Sequence, residues 1–239
     1  MRSSTVALLQ WNLRSRVLVF VLASTSIACL LLEMYGIGDM RALFFAAFLP
    51  ATAFLIALAV LDRRNGSGVL ARAVIVGALA GILGAIVYDI FRLPFVFSDA
   101  WKLSPIGIPQ MPLFKVFPRF GALLLAEPIE QGVLQGDIGF AWGKGYSWSA
   151  QLLGWLYHFS NGATFGIMFM AVFAGAITTK RVMLGAILMA VGIEAALLLS
   201  PYSTFFGIHQ TARFVVVTLL AHIVFGVGLG AGVLWLRPR

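Results

Sequence analysis

Five ionisable side chains and one amide stand in segments that are otherwise apolar. His158 and Asn161 lie in GWLYHFSNGATFG (154–166), Glu194 in VGIEAALLLS (191–200), and His222 in LLAHIVFG (219–226). Asp89 and Arg92 lie in YDIFRLP (88–94). Imidazole and a desolvated carboxylate can both exchange protons near neutral pH. Glu194 and His158 therefore form the expected core of a titratable site, with His222 and Asn161 as partners. Asp89 and Arg92 are one helical turn apart and are expected to pair with each other or with the loop that follows them. His158, Glu194 and His222 also have donor types that suit zinc, iron or manganese, although no two of them share a helix at i, i+4. His158 and His222 match in depth and would allow a bis-histidine haem. The sequence requires neither metal nor haem.

Composition says what must position these groups. Of 239 residues, 61% are hydrophobic and 11% charged, and the mean hydropathy is +0.97. Soluble domains carry about a quarter charged residues, so a solvated globular surface is excluded. The net charge of +8 is scattered over segment ends rather than gathered in a patch. That distribution fits membrane topology and argues against nucleic acid as a partner. The lone Cys29 excludes an internal disulfide and a thiolate metal cluster from one chain.

A bilayer core of about 30 Å takes roughly 20 apolar residues of helix. Six runs qualify: 17–34, 43–61, 69–93, 148–175, 182–200 and 214–236. The expected fold is an all-α integral membrane protein, a six-transmembrane-helix bundle forming one domain over 1–239. "DRR" after the second run and "KR" after the fourth place both termini in the cytoplasm by the positive-inside rule. The expected location is the inner (plasma) membrane of a bacterium.

Between the third and fourth spans, residues 94–147 form a Pro- and aromatic-rich loop on the outer (periplasmic or extracellular) side. Six of the nine prolines fall there, which rules out one regular helix. A seventh span would bury Glu127, Glu130 and Asp137, each at about 2.5–3.5 kcal/mol near a helix centre. The loop is expected to form short helices lying at the interface, anchored by Trp101, Trp142 and Trp148, and to cap the bundle. His209, near the end of the fifth-to-sixth connection, reads as a solvated loop residue.

Residues four apart drift slowly around a helix and form one stripe. The stripes are Gly77–Gly81–Ala85–Asp89, Gly154–His158–Gly162–Gly166, Ala186–Ala190–Glu194 and Thr218–His222–Gly226–Gly230. Each ionisable group thus shares a line with small residues, which mark close approach between membrane helices. At about 1.5 Å per residue, Asp89 lies roughly 6 Å from the outer end, Glu194 roughly 9 Å, His222 roughly 14 Å and His158 roughly 15 Å. All four point into the outer half of the bundle.

Two short segments resemble a known family. SNGATFG (160–166) resembles the glycine–X–serine–glycine segment of rhomboid intramembrane proteases, and AHIVFG resembles the segment around their last-helix histidine. The resemblance implies a nucleophile at position 161, where this chain has Asn161. Histidine cannot activate an amide as it does serine, so no catalytic residue is expected.

Three function classes follow. The first is a binding or permeation module for a small solute, ion or lipid head group, with Asp89, Arg92, His158, Asn161, Glu194 and His222 as its ligand-binding residues. The second is a structural subunit whose partners are the lipid bilayer and other membrane subunits or copies of itself. The third is an intramembrane metal- or haem-dependent enzyme or redox subunit.

Overall fold

The computed structural model describes residues 11–65, 67–127, 145–173 and 178–237, and among them every regular element is helical. A helix satisfies its own backbone hydrogen bonds, which an apolar segment in lipid requires. The helices are α1 (Leu13–Met34), α2 (Met40–Arg64), α3 (Val69–Val96), α4 (Val116–Leu125), α5 (Trp148–Phe173), α6 (Thr179–Leu198), α7 (Tyr202–Phe206) and α8 (Ala212–Leu236). Five of them, α1, α2, α3, α6 and α8, are long and apolar enough to cross a membrane. Together they are consistent with a helical membrane bundle.

The expected fourth span is the 26-residue helix α5, about 39 Å long at 1.5 Å per residue. Gln151, His158, Ser160, Asn161 and Thr164 keep its hydropathy below that of the other five.

Several boundaries differ from the sequence reading. The third span continues through Pro94 to Val96, because a proline removes one ladder bond without ending a helix that neighbours support. The second begins at Met40 and holds a π turn at Phe44–Phe48, just before Pro50. Spacing the ladder differently there accommodates the missing proline N–H. The fifth span runs Thr179–Leu198 rather than 182–200, and the sixth starts at Ala212 rather than 214.

Helix α3 is the hub, packed along α5, α8 and α2. Helix α5 also carries α1 and α4, whereas α6 packs on α8 and barely reaches α5. The α3–α5 contact follows the two small-residue stripes laid antiparallel. A Cβ on Gly77 would sit 2.7 Å from the Gly166 carbonyl oxygen, and one on Gly81 would overlap the Gly162 carbonyl. No side chain fits between these backbones. The register they set brings Asp89 to His158.

The loop expected at the interface is partly inside the protein. Val116, Phe117, Phe120 and Leu124 of α4 are buried, and the helix lies so close to α5 that a Cβ on Gly154 would overlap the Phe117 carbonyl. Glycines 121 and 154, one on each helix, remove the side chains that would hold α4 out. The surface cap expected from the sequence is thus replaced by an inserted wedge. Trp101 and Trp148 are exposed; Pro128, Glu130, Asp137 and Trp142 lie outside the described residues.

Polar groups pin the opposite end. Arg16 donates from Nε to the Ala171 carbonyl (2.6 Å) and from Nη2 to that of Val172 (2.5 Å), closing the end of α5. Buried Asp62 accepts from the Ala71 N–H (2.9 Å) and from the Ser67 hydroxyl, fixing the start of α3.

Candidate functional site

Two carboxylate–imidazole pairs form where α3, α5, α6 and α8 converge. His158 Nε2 donates to Asp89 Oδ2 at 2.9 Å, joining α5 to α3. His222 Nδ1 lies 2.9 Å from the Thr218 carbonyl oxygen and 3.0 Å from Glu194 Oε2, joining α8 to α6. Both oxygens are acceptors, so Nδ1 carries the proton and Nε2 is the imidazole's acceptor. Asp89 and Glu194, at 8% and 3% exposure, are buried, as is His222, whereas His158 is partly buried.

Arg92 belongs to the first pair and borders the space beside the second. Its Nη1 lies 3.4 Å from Asp89 Oδ1, and its Nη2 donates to the Leu113 carbonyl ahead of α4. The guanidinium carbon stands 4.6 Å from the Tyr88 ring centroid, 5.0 Å from that of Phe114 and 5.3 Å from that of Phe117. Guanidinium over aromatic faces is attractive, the more so when desolvated. Two buried atoms in this cluster, Arg92 Nε and Glu194 Oε1, have no hydrogen-bond partner among the described residues.

Tyr88 packs against both imidazoles, 6.1 Å from the His158 ring and 5.0 Å from that of His222. Phe117 of the inserted α4 stacks on His158 at 4.1 Å. Neither aromatic was singled out from the sequence. Tyr88 had a signal, since it adjoins Asp89 within one polar turn; Phe117 had none, because its position depends on the entry of α4.

Asn161 lies one turn along from His158 and accepts from the Ser26 hydroxyl at 2.6 Å. The Tyr157 hydroxyl donates to the Ser26 carbonyl, also at 2.6 Å. These bonds fasten α1 to α5. Asn161 is therefore held by α1 and is not paired with a histidine.

The six residues do not form one set of ligands around a point. They divide into Asp89–His158–Arg92, Glu194–His222 and Asn161–Ser26. Among the described residues no three His, Cys, Asp or Glu side chains gather as a metal ion would require. The metal-ligand grouping of His158, Glu194 and His222 is thus split, with Asp89 taking the place beside His158 that Glu194 was expected to fill. His209 is exposed on its loop.

A cavity of about 90 Å³ opens at this cluster. Arg92, His158, Asn161 and His222 line it, together with Tyr88, Tyr202 and a ring of phenylalanines. A smaller space of about 30 Å³ lies between Arg92, Glu194 and His222, enough for one water. On the side where α6 stands away from α5, an apolar groove of about 500 Å³ runs between α1, α5 and α6. Cavity and groove share Ile27, Phe165, Ile193 and Leu197 as walls.

The arrangement can bind a polar group, donate hydrogen bonds to it and exchange protons with it. No family model, curated protein or solved structure matches this chain.

Proposed function

We propose that this protein is a membrane binding module for an amphiphile that enters sideways from the bilayer. The polar head occupies the cavity at Arg92, His158, Asn161 and His222, and the chain lies in the groove between α1 and α6. The carrying observation is that the two spaces adjoin, with Ile27, Phe165, Ile193 and Leu197 as their common walls. A groove of about 500 Å³ is within the ordinary range of roughly 300–1,000 Å³ for ligand sites. A free water-soluble solute has no use for such a groove.

In this reading α5 is the sixth span, both termini are cytoplasmic and the polar cluster lies in the outer half of the membrane. The length of α5 and its central packing support its crossing with the other five. Release of the head toward the loop side would make the module a permeation pathway.

The test uses Gly192, which lines the groove and has nothing within 4 Å of a Cβ built on it. Gly192→Phe fills the groove without disturbing a packed contact. A single-chain amphiphile with a diazirine near its head should label residues around His158 and Ile193 in purified protein, and Gly192→Phe should suppress that labelling. Labelling confined to lipid-facing positions such as Leu152 and Leu156, unchanged by Gly192→Phe, would reject the reading.

A further inference from the structure

We infer that the head group is a small oxyanion, a carboxylate or a phosphate on an aliphatic chain, and that it binds together with one proton. This rests on the amphiphile reading above and names its ligand class. The first argument is which charged groups face the cavity. Arg92, His158 and His222 line it, whereas Asp89 and Glu194 do not. Each carboxylate holds its own imidazole, at 2.9 and 3.0 Å, and the remaining oxygen of Glu194 belongs to the residue lining the smaller space rather than the cavity. A ligand in the cavity meets one guanidinium, two imidazoles and an amide. A cationic head would meet those same groups and would be screened from both carboxylates.

The second argument is Arg92 Nε, which has no hydrogen-bond partner among the described residues, in a residue only 3% exposed. A buried guanidinium N–H without an acceptor is costly, and Arg92 borders both the main cavity and the small space beside Glu194. An oxyanion, or a water held beneath it, supplies the acceptor. The guanidinium fork matches carboxylate and phosphate geometry. The cavity volume, about 90 Å³, corresponds to roughly three waters at about 30 Å³ each, so the head must be small.

The third argument is a charge balance. With both imidazoles neutral, Asp89 and Glu194 outnumber Arg92 by one negative charge. Excess charge in a desolvated cluster is costly, so the empty site holds one proton. A monoanionic head adds a second negative charge and calls for a second proton. His158 Nδ1, His222 Nε2 and Glu194 Oε1 make no hydrogen bond among the described residues, and these protons go to atoms of that set. The remaining titratable neighbours do not alter the count. Tyr88 and Tyr202 are phenols, neutral at physiological pH, and burial pushes the Tyr202 phenol further up. Lys115 lines a separate cavity with His209 and Arg213. A cationic ligand would instead displace the resting proton, so the sign of the pH dependence separates the two.

The experiment is competition against the photo-label by three hexadecyl compounds of fixed charge: the sulfonate, the trimethylammonium and the alcohol. The full chain is studied in lipid nanodiscs between pH 6 and 8. Hexadecanesulfonate should displace the label best, with an apparent Kd that tightens by up to about tenfold per unit fall in pH. Oleate and lysophosphatidate, run alongside, tell which natural oxyanion is preferred; displacement by neither counts against the proposal. Arg92→Gln should weaken the sulfonate about tenfold or more, and the wild-type series decides the matter if that variant does not fold. Stronger displacement by the trimethylammonium or the alcohol, or tightening as pH rises, overturns the oxyanion while leaving lateral binding intact. If no compound displaces a label at His158, lateral binding itself has failed.

Discussion

Arg92 is the residue on which the polar cluster depends electrostatically. It is the permanent cation among two buried carboxylates, and it is enclosed by Tyr88, Phe114 and Phe117. Removing one partner of a buried ionic group typically costs about 3–5 kcal/mol, because the remaining charge is left uncompensated. Arg92→Gln should therefore lower thermal stability strongly in detergent. Asp89→Asn added to it restores the wild-type charge balance and should recover part of the loss, which a double-mutant cycle of unfolding temperatures would show. Additive losses would mean that Arg92 acts through its Leu113 and aromatic contacts instead. Ser26→Ala is the contrasting case. It removes a neutral hydrogen bond to Asn161, and such bonds in membrane helices average about 0.6 kcal/mol. Its unfolding temperature should stay close to wild type.

At the scale of elements, the α3–α5 pair determines whether the site forms at all. Gly77 and Gly81 lie against Gly166 and Gly162 so closely that a Cβ meets backbone, which cannot move aside as a side chain can. Gly81→Leu should force the helices apart, at a cost beyond the about 1–3 kcal/mol of ordinary overpacking, and should separate Asp89 from His158. The expected outcome is loss of a monodisperse peak in gel filtration and loss of photo-labelling. Gly192→Leu, with open space at its Cβ, should leave the protein monodisperse. Equal tolerance of both substitutions would show that the helix contact is not as drawn. The wedge α4 obeys the same rule through Gly121 and Gly154, which is how Phe117 reaches the His158 ring.

For the whole molecule, orientation decides which compartment the site serves. Arginines flank the α2–α3 turn, and Lys180 and Arg181 start α6, both at the end of the bundle opposite the α3–α5 connection. Reporters fused after Asn65 and after Thr179 should report a cytoplasmic position, and one fused after Lys115 an external one. A cytoplasmic Lys115 would turn the cavity toward the cytoplasm and reverse the direction of any release. The weak packing of α6 against α5 is the other global feature. It leaves the lateral groove open, and it is why Gly192→Phe tests entry and not stability.

The sequence by itself determined the class of this protein and the lines along which its helices meet. Apolar runs of membrane length must satisfy their backbones internally, and that makes them helices whatever their neighbours. Glycines at steps of four, sharing a face with Asp89 and with His158, also belong to local periodicity, and the α3–α5 contact lies along those lines. Partner choice was different. Asp89, one turn from Arg92, pairs with it as local spacing suggests, yet the same carboxylate also takes His158 from another helix. Glu194 and His158, both counted into the outer half of the bundle, do not pair, because α6 packs on α8 and stands off α5. Depth along a helix can be counted from the sequence; the azimuth and spacing between helices arise only when their surfaces pack. The buried α4 was illegible for that reason too. Its prolines and apolar residues suit an interface as well as an interior, and only the gaps left by Gly121 and Gly154 on the assembled surfaces admit it.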